Sequence, residues 1–203
     1  SRRALLAAGG GAVTAAALSG VEPAARHRDP YLLRPPGAGL VDFDALCVRC
    51  GACVRVCPSQ GLQPSLFEAG VQGFLTPRLV PRLGACSFPC AACGQVCPTG
   101  ALPRLTLAEK QAMPIGLARI DRDRCLPWAY NTSCIVCEEA CPIADKAIAL
   151  DEVEAADAYG GTILLQRPRV FQERCIGCGI CENKCPLGGE AAIRVFALAA
   201  SLV

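Results

Sequence analysis

The chain has 203 residues, a formal net charge of +2 and 16 cysteines, while aromatic residues make up only 5%. Its basic residues are spread along the sequence, so no dense basic stripe indicates a nucleic-acid partner. The scarcity of aromatics argues against a large aromatic core, and such a chain needs disulfides or metals to stabilise its fold.

Residues 1–20 form a separate segment. Arg2 and Arg3 precede an uncharged stretch rich in Ala and Gly that runs from Ala4 to Leu18. This stretch is shorter and less apolar than the roughly 20 residues that a membrane-spanning helix needs. A twin-arginine pair before a mildly apolar run is typical of a Tat export signal. We therefore expect a Tat-type signal here, with a short amphiphilic helix or a retained membrane anchor as the alternatives.

Residues 21–39 are predicted to form an extended, irregular linker, because prolines fix φ and remove backbone donors. The only histidine of the chain, His27, lies in this segment. We expect it to be solvated rather than to act as a ligand. The prolines of the segment are Pro23, Pro30, Pro35 and Pro36.

From Leu40 to the last residue, 203, the chain repeats one cysteine pattern four times. Each unit supplies four cysteines and ends in a Cys-Pro pair, so all 16 cysteines are used. A repeat of this kind indicates four copies of one structural unit. The units occupy residues 47–58, 86–98, 125–142 and 175–186. Their cysteines are Cys47, Cys50, Cys53, Cys57, Cys86, Cys90, Cys93, Cys97, Cys125, Cys134, Cys137, Cys141, Cys175, Cys178, Cys181 and Cys185.

Short strands and hairpins are predicted between the units. The spacers LQPSLFEAGVQGFLTPRLV, IGLARIDRDRC and AIALDEVEAADAYGGTILLQRPRVF carry short apolar runs around turn residues. VDFDAL before the first unit and AIRVF after the last are predicted as closing strands. Short helical turns are expected after the third cysteine of each unit, as in VRVC and ENKC. No long amphipathic helix is evident.

The spacing within the units indicates ligation of [4Fe-4S] clusters. Three cysteines at C-x2-C-x2-C on a tight loop reach three irons of one cluster, and the fourth, followed by proline, ligates the other cluster in two-cluster ferredoxins. We therefore predict four [4Fe-4S] clusters, with all 16 cysteines as ligands. Gly51, Gly177 and Gly179 are expected to let the backbone approach a cluster closely.

Disulfides and zinc are the alternatives for these cysteines. Cysteines three residues apart on a tight turn give poor disulfide geometry, and zinc usually takes two separate C-x2–4-C pairs. In the second unit, the wider spacing of Cys86, Cys90 and Cys93 matches the triplet of radical S-adenosylmethionine enzymes. Those enzymes need a large barrel, which this chain is too short to build.

The third unit departs from the pattern because eight residues separate Cys125 from Cys134. A free buried thiol is the alternative for Cys125, but the regular use of four cysteines per unit favours a ligand. Trp128 and Tyr130 lie in this gap, where they would cover a cluster, face a partner or pack within the loop.

The predicted fold class is α+β, with two bacterial-ferredoxin-like modules, each holding two [4Fe-4S] clusters, built from short strands, hairpins, cysteine loops and short helices. Two pairing schemes remain open. Either the first unit shares ligands with the second and the third with the fourth, or the first pairs with the fourth in a nested arrangement. Spacers of similar length allow both schemes.

No arrangement of residues resembles a substrate site. The sequence has no Ser/His/Asp set and no paired carboxylates in a plausible pocket, and the GGGAVT run lacks the lysine of a phosphate-binding loop. Since clusters that share a small protein must lie close together, we expect an electron carrier rather than an enzyme.

The chain resembles the ferredoxin-type proteins of the MauM/NapG family over nearly its whole length. The likeness lies in SRRALL, RPPGA, CVRCGACVRVCP, ACSFPC…CGQVCPTGAL, CLPWAYNTSCIVCEEACPIADKAI and CIGCGICENKCPLGGEAAIRVF. The spacing of the first three cysteines in the second unit departs from the family pattern, which puts the loop of one cluster in question but not its presence.

The resemblance implies a periplasmic electron-transfer subunit, exported by Tat and associated with the membrane through a partner or through its N-terminal segment. Its electrons would come from a membrane quinol-oxidising iron–sulfur protein and pass toward a periplasmic reductase or cytochrome, as in nitrate respiration. The MauM branch implies methylamine oxidation instead. A subunit of another respiratory complex and a cluster-bearing maturation factor for a metalloenzyme are the further alternatives.

Overall fold

The computed structural model describes residues 29–156 and 161–198. The predicted export signal, His27 and the first part of the predicted linker therefore lie outside the described residues. Among the helices of the described ranges, none has the length and hydropathy needed to cross a bilayer.

Short helices and short strands alternate along the described part of the chain. The helices are α1 (Phe43–Leu46), α2 (Ala52–Val56), α3 (Ala92–Gln95), α4 (Leu107–Ala112), α5 (Leu126–Ala129), α6 (Val136–Glu139) and α7 (Ile180–Lys184), with a 3-10 turn at Ala38–Leu40. The strands are β1 (Leu62–Pro64), β2 (Pro77–Leu79), β3 (Gly116–Ile120), β4 (Ile148–Ala156), β5 (Thr162–Val170) and β6 (Ile193–Ala197). None of these helices exceeds six residues, so among the described residues no long amphipathic helix contributes to the core.

The strands form three antiparallel pairs. β1 pairs with β2 and β4 with β5, which confirms the hairpins predicted in the first and last spacers. The closing strand predicted at AIRVF is also confirmed. It is β6, which pairs with β3 so that Gly116 lies opposite Ala197 and Ile120 opposite Ile193. This pair joins the start and the end of the second half of the chain.

The prediction of a strand at VDFDAL is wrong, because this stretch forms helix α1. The carboxylate of Asp42 accepts a hydrogen bond from the N–H of Ala45 at 3.3 Å and so caps the helix. Such a cap satisfies a backbone donor that a helix start otherwise leaves free. Phe43 then buries its ring in the core, and the capping residue decides the local conformation.

The chain folds as two ferredoxin-like modules in sequence order. The first module holds units one and two around the β1–β2 hairpin, and α2 packs against α3. The second module holds units three and four between β3 and β6, and α6 packs against α7. The apolar core is small and includes cysteine side chains, among them Cys53 and Cys181. Metal ligation at these cysteines would therefore replace apolar packing as the source of stability.

Residues 31–38, the end of the predicted linker, are packed into the protein. Leu33 is fully buried, and its carbonyl accepts a hydrogen bond from the N–H of Leu79 at 2.8 Å in the first module. The ring of Tyr31 lies 4.7 Å from that of Phe196 in the second module. This segment therefore contacts both modules and holds them together.

Arg82 makes a second connection between the modules. Its guanidinium donates hydrogen bonds to three backbone carbonyls of the second module, at distances of 2.7 to 3.1 Å. The acceptors are Glu182, Cys185 and Leu187. A half-buried cation with three carbonyl partners fixes the relative position of the two modules more firmly than apolar contact alone.

Candidate metal centres

The 16 cysteines line four separate cavities, with four thiols at each. Site I is Cys47, Cys50, Cys53 and Cys97. Site II is Cys57, Cys86, Cys90 and Cys93. Site III is Cys125, Cys134, Cys137 and Cys185. Site IV is Cys141, Cys175, Cys178 and Cys181.

Each site takes three cysteines from one unit and the last cysteine of another unit. Units one and two exchange their last cysteines, and so do units three and four. The structure therefore has the sequential pairing, not the nested one. The proline after each last cysteine lines the same cavity as that cysteine: Pro58 at site II, Pro98 at site I, Pro142 at site IV and Pro186 at site III.

Glycines set the turns that place two of the four third cysteines, Cys53 and Cys181. Gly51 and Gly179 have φ of +71° and +78° and directly precede α2 and α7. These helices begin one residue before the third cysteine, slightly earlier than predicted. Gly177, with φ of +68°, has a second role. A Cβ there would overlap the backbone of Gly116, so this glycine allows the site IV loop to lie against strand β3.

Cys125 joins site III despite its long separation from the rest of its unit. The thiol is buried, and helix α5 takes up part of the intervening sequence. Trp128 packs against strand β5, since its indole N–H donates to the carbonyl of Pro168 at 3.1 Å, and the guanidinium of Arg122 lies 4.1 Å from its ring centroid. Tyr130 is exposed.

Hydrogen bonds reach the sulfur atoms of several last-position cysteines. Backbone N–H groups donate to Cys97 and Cys141 at 3.4 Å, and the hydroxyl of Ser59 lies 3.4 Å from the thiol of Cys57. The N–H of Ala118 donates to Cys175 at 3.4 Å. Hydrogen bonds to cluster sulfurs raise the reduction potential by offsetting negative charge.

Burial raises the pKa of several of these thiols in the absence of metal. Burial, with smaller contributions from neighbouring thiols, raises the pKa of Cys53 to about 11 and that of Cys93 and Cys137 to about 12. At Cys57 and Cys97 burial also acts to raise the pKa, but hydrogen bonds to the sulfur outweigh it and lower the pKa. Metal binding must therefore displace protons, and a positive metal core supplies the charge that makes four adjacent thiolates tolerable.

Lys110 on α4 is a site residue that the sequence analysis missed. Its side chain is only 2% exposed, and its ammonium donates to the carbonyls of Ser87 at 2.7 Å and Phe88 at 3.2 Å. The ammonium also acts on the thiol of Cys86 in site II through its positive charge: burial raises the pKa of this thiol, and the nearby lysine opposes the rise. No sequence signal marks this lysine, because it lies outside the cysteine units.

The donor sets fit [4Fe-4S] clusters. Every cavity offers four thiols and otherwise mainly apolar side chains, as a tetrahedral cluster with four thiolate ligands requires. All 16 cysteines lie within the described residues, and none forms a disulfide. Within residues 29–156 and 161–198, no three potential metal-ligating side chains converge on a single-ion site, so the thiols of each quartet are spaced more widely than around one zinc ion.

The sites follow one another in the spatial order I, II, IV, III. Cys53 of site I lies near enough to Cys93 of site II for their charges to interact. The same holds for Cys86 of site II and Cys178 of site IV. Cys181 of site IV is likewise close to Cys137 of site III. Sites II and IV are therefore central, and sites I and III are the ends.

Site I is the most accessible end. Cys50 is the only cysteine of the 16 that is exposed. The cavity of site I has a volume of about 270 Å³, against about 30, 30 and 20 Å³ at sites II, III and IV. Part of the site I cavity is therefore open to the surface.

A family model described as a 4Fe-4S dicluster domain matches residues 46–101 and residues 132–188. Each match covers most of one module and one pair of units. The second match begins after Cys125, as expected from the unusual gap in the third unit.

Several characterised proteins are similar to this chain over most of its length. The methylamine utilization ferredoxin-type protein MauM of Methylorubrum extorquens is 40% identical over 206 residues, covering 97% of this chain and 89% of that protein. MauM of Paracoccus denitrificans is 38% identical, with 97% and 87% covered. The ferredoxin-type protein NapG of Escherichia coli is 36% identical, with 94% and 81% covered.

Proposed function

Because the chain belongs to the MauM/NapG family of ferredoxin-type iron–sulfur proteins, we propose that it holds four [4Fe-4S] clusters at sites I to IV and carries electrons between two redox partners. The proposed ligands are the four cysteines of each site. When bound, each [4Fe-4S] cluster takes up and releases one electron at a time.

The observation that carries the proposal is the continuous series of thiol quartets. Neighbouring quartets interact within each module, and Cys86 and Cys178 connect the two modules. Cysteines of all four sites belong to the apolar core or pack against it, which limits their contact with water. Such a series supports electron transfer from one end of the protein to the other.

We further propose that the protein works in the periplasm after export through the Tat pathway. Arg2 and Arg3 before a mildly apolar run support this proposal. Replacing both arginines by lysine in the full chain should leave the protein in the cytoplasmic fraction of the cell. Export of the double variant at the normal level would contradict the proposed route.

The proposed donor is a membrane quinol-oxidising iron–sulfur protein, and the proposed acceptor is a periplasmic reductase or cytochrome. The two branches of the family support two settings. MauM relatives are named for methylamine utilization, and the resemblance to the NapG branch implies a nitrate-reductase type of acceptor. The protein could serve either system with the same cluster sites, since the acceptor is a different protein.

The proposal is tested by reducing the anaerobically purified holoprotein with dithionite in the presence of an iron chelator. An electron carrier should be fully reduced and reoxidised over several cycles, with its electron paramagnetic resonance (EPR) signal intact and no iron lost to the chelator. Rapid release of iron or transfer of one cluster to an apoprotein would contradict this function and favour a maturation factor.

A further inference from the structure

An apolar loop lies beside the exposed end of the cluster series. The loop covers residues 65–76 between β1 and β2, and five of the thirteen large apolar residues that are exposed in the described chain fall within it. Phe67 and Val71 are 80% and 83% exposed. The other three are Leu66, Phe74 and Leu75. A cluster of exposed apolar residues on a water-soluble surface marks an interaction site more often than scattered single residues do.

The loop is held firmly at its base. Ser65 and Thr76 are fully buried, and the backbone N–H of Ser65 donates to the carbonyl of Thr76 at 2.8 Å. The guanidinium of Arg34 donates to the hydroxyl of Thr76 at 2.7 Å. Near the tip, the rings of Phe67 and Phe74 lie 6.2 Å apart in a tilted arrangement. The apolar residues are therefore displayed by a fixed scaffold, which reduces the entropy lost on binding.

The loop reaches the mouth of site I. Leu75 lines that cavity together with Val48, which is also exposed. The guanidinium of Arg49 donates to the carbonyl of Gln72 at 2.7 Å and so ties the cysteine loop to the apolar loop. Exposed Cys50 follows directly. A protein that covers this surface would come into contact with the end of the cluster series.

The rim of this surface is basic. Arg49 and Arg55 line the mouth of site I, and within the described residues no carboxylate lies within ion-pair distance of either guanidinium. The only acidic residue of the loop, Glu68, is paired with Arg78 at 2.7 Å. The surface therefore favours a partner that carries carboxylates around an apolar centre.

We propose that the 65–76 loop and the mouth of site I form the docking surface for a redox protein whose contact area is apolar at its centre and acidic at its rim. The inference rests on the proposed function, because it takes site I as the end where electrons enter or leave. A lipid surface is disfavoured because recognition of anionic lipids uses clusters of about four to eight Lys or Arg, whereas only Arg49 and Arg55 line this mouth. The loop also lacks the Trp and Tyr typical of membrane interfaces.

The test uses stopped-flow oxidation of the reduced holoprotein by two carriers of known charge, an acidic plastocyanin and a basic cytochrome c. The double variant Phe67→Ser/Val71→Ser should lower the second-order rate constant with plastocyanin at least fivefold. Leu164→Ser is the matched control, since Leu164 is 67% exposed but lies on β5 of the other module. It should react like the wild type.

The charge of the surface is tested with Arg49→Gln/Arg55→Gln. This variant should react at least fivefold more slowly with plastocyanin and no more slowly with cytochrome c, and added salt should abolish the difference. Wild-type rates with plastocyanin in both double variants would overturn the docking surface. The docking surface would also be overturned if the protein bound vesicles of phosphatidylcholine and phosphatidylglycerol and lost this binding on substitution of Phe67 and Val71. The loop would then be a membrane contact.

Iron and sulfide content and reduction by dithionite separate this inference from the proposed function. Equal values in all variants show that the substitutions leave the clusters in place, so that unchanged rates overturn the docking surface alone. If no form of the protein binds iron and sulfide, the proposed function fails, and the inference fails with it.

Discussion

The backbone N–H of Cys86 donates a hydrogen bond to the carbonyl of Cys178 over 2.8 Å. Cys86 belongs to site II and Cys178 to site IV, so the two modules meet directly at candidate ligands of their inner clusters. The structure thus joins the two ferredoxin-like modules at their cysteine loops, in addition to the contacts made by residues 31–38 and by Arg82. This arrangement makes the geometry between the modules a determinant of electron transfer.

Replacement of Arg82 by alanine should weaken this contact between the modules. The variant loses hydrogen bonds to three carbonyls of the second module, and we expect the free energy of unfolding to fall by about 2 kcal/mol. The midpoint of anaerobic denaturation, followed by the visible absorbance of the clusters, measures the loss. Arg169→Ala is the control, because its ion pair with Asp151 is exposed and exposed pairs contribute little. Equal midpoints for the two variants would contradict the assigned role of Arg82.

Lys110→Met should lower the reduction potential of the site II cluster. The buried ammonium lies near enough to Cys86 for their charges to interact, and a nearby positive charge favours the reduced cluster, which carries one more negative charge. We expect at least a tenfold change in the one-electron equilibrium constant, which corresponds to about 59 mV. EPR-monitored redox titration resolves the shift.

Two variants control for this effect. Lys110→Arg should retain most of the wild-type potential, and Lys184→Met removes an exposed charge, so water should screen most of its effect. A wild-type potential in Lys110→Met, or an equal shift in Lys184→Met, would show that the buried charge does not tune site II.

Cys125→Ser should damage site III alone. The residue completes the thiol quartet of that cavity, and serine is a poor replacement for a thiolate ligand. We expect the loss of about one to four iron atoms per chain, according to whether a three-iron cluster survives. Iron analysis and EPR of the oxidised protein measure the outcome. Tyr130→Ala, in the same loop but exposed, should keep the full iron content, and a full content in Cys125→Ser would exclude this thiol as a ligand.

Gly177→Ala should destabilise the protein much more than Gly189→Ala. Both glycines have a positive φ, of +68° and +69°, so each substitution carries a backbone cost of about 1 kcal/mol. At Gly177 the new methyl group also overlaps the backbone of Gly116, whereas nothing lies within 4 Å of the position at Gly189. We expect a loss of roughly 3 kcal/mol or more at Gly177, measured by denaturant unfolding of the holoprotein. Similar losses at the two positions would mean that site IV tolerates movement away from β3.

The cysteine units and the hairpins between them could be predicted from the sequence because both depend on short-range spacing. Cys175, Cys178 and Cys181 share one loop whatever the rest of the chain does. The β4–β5 hairpin likewise follows from two apolar runs on either side of a turn. Local patterns of this kind need no knowledge of the tertiary fold.

The pairing of the units could not be predicted, because it depends on contacts between distant residues. The spacers allowed both schemes, and the choice follows from packing such as that of Gly177 against Gly116. Burial of the proline-rich segment could not be predicted from the sequence either, since Leu33 is buried through contacts with Leu79 and other distant residues. Lys110 reaches site II only after helix α4 folds back onto the second unit. Asp42 is the opposite case, because its helix-capping side chain is a local signal that the sequence itself carries.

The most direct test of the central claim is a count of iron, acid-labile sulfide and reducible spins in protein purified without oxygen. Four sites with four thiols each predict about 16 iron and 16 sulfide per chain, and an EPR spectrum of the reduced protein with interacting S = 1/2 signals that sum to about four electrons. A count of about eight iron, with half the cysteines open to alkylation, would contradict the account. A colourless protein whose cysteines are joined in disulfides would overturn it altogether.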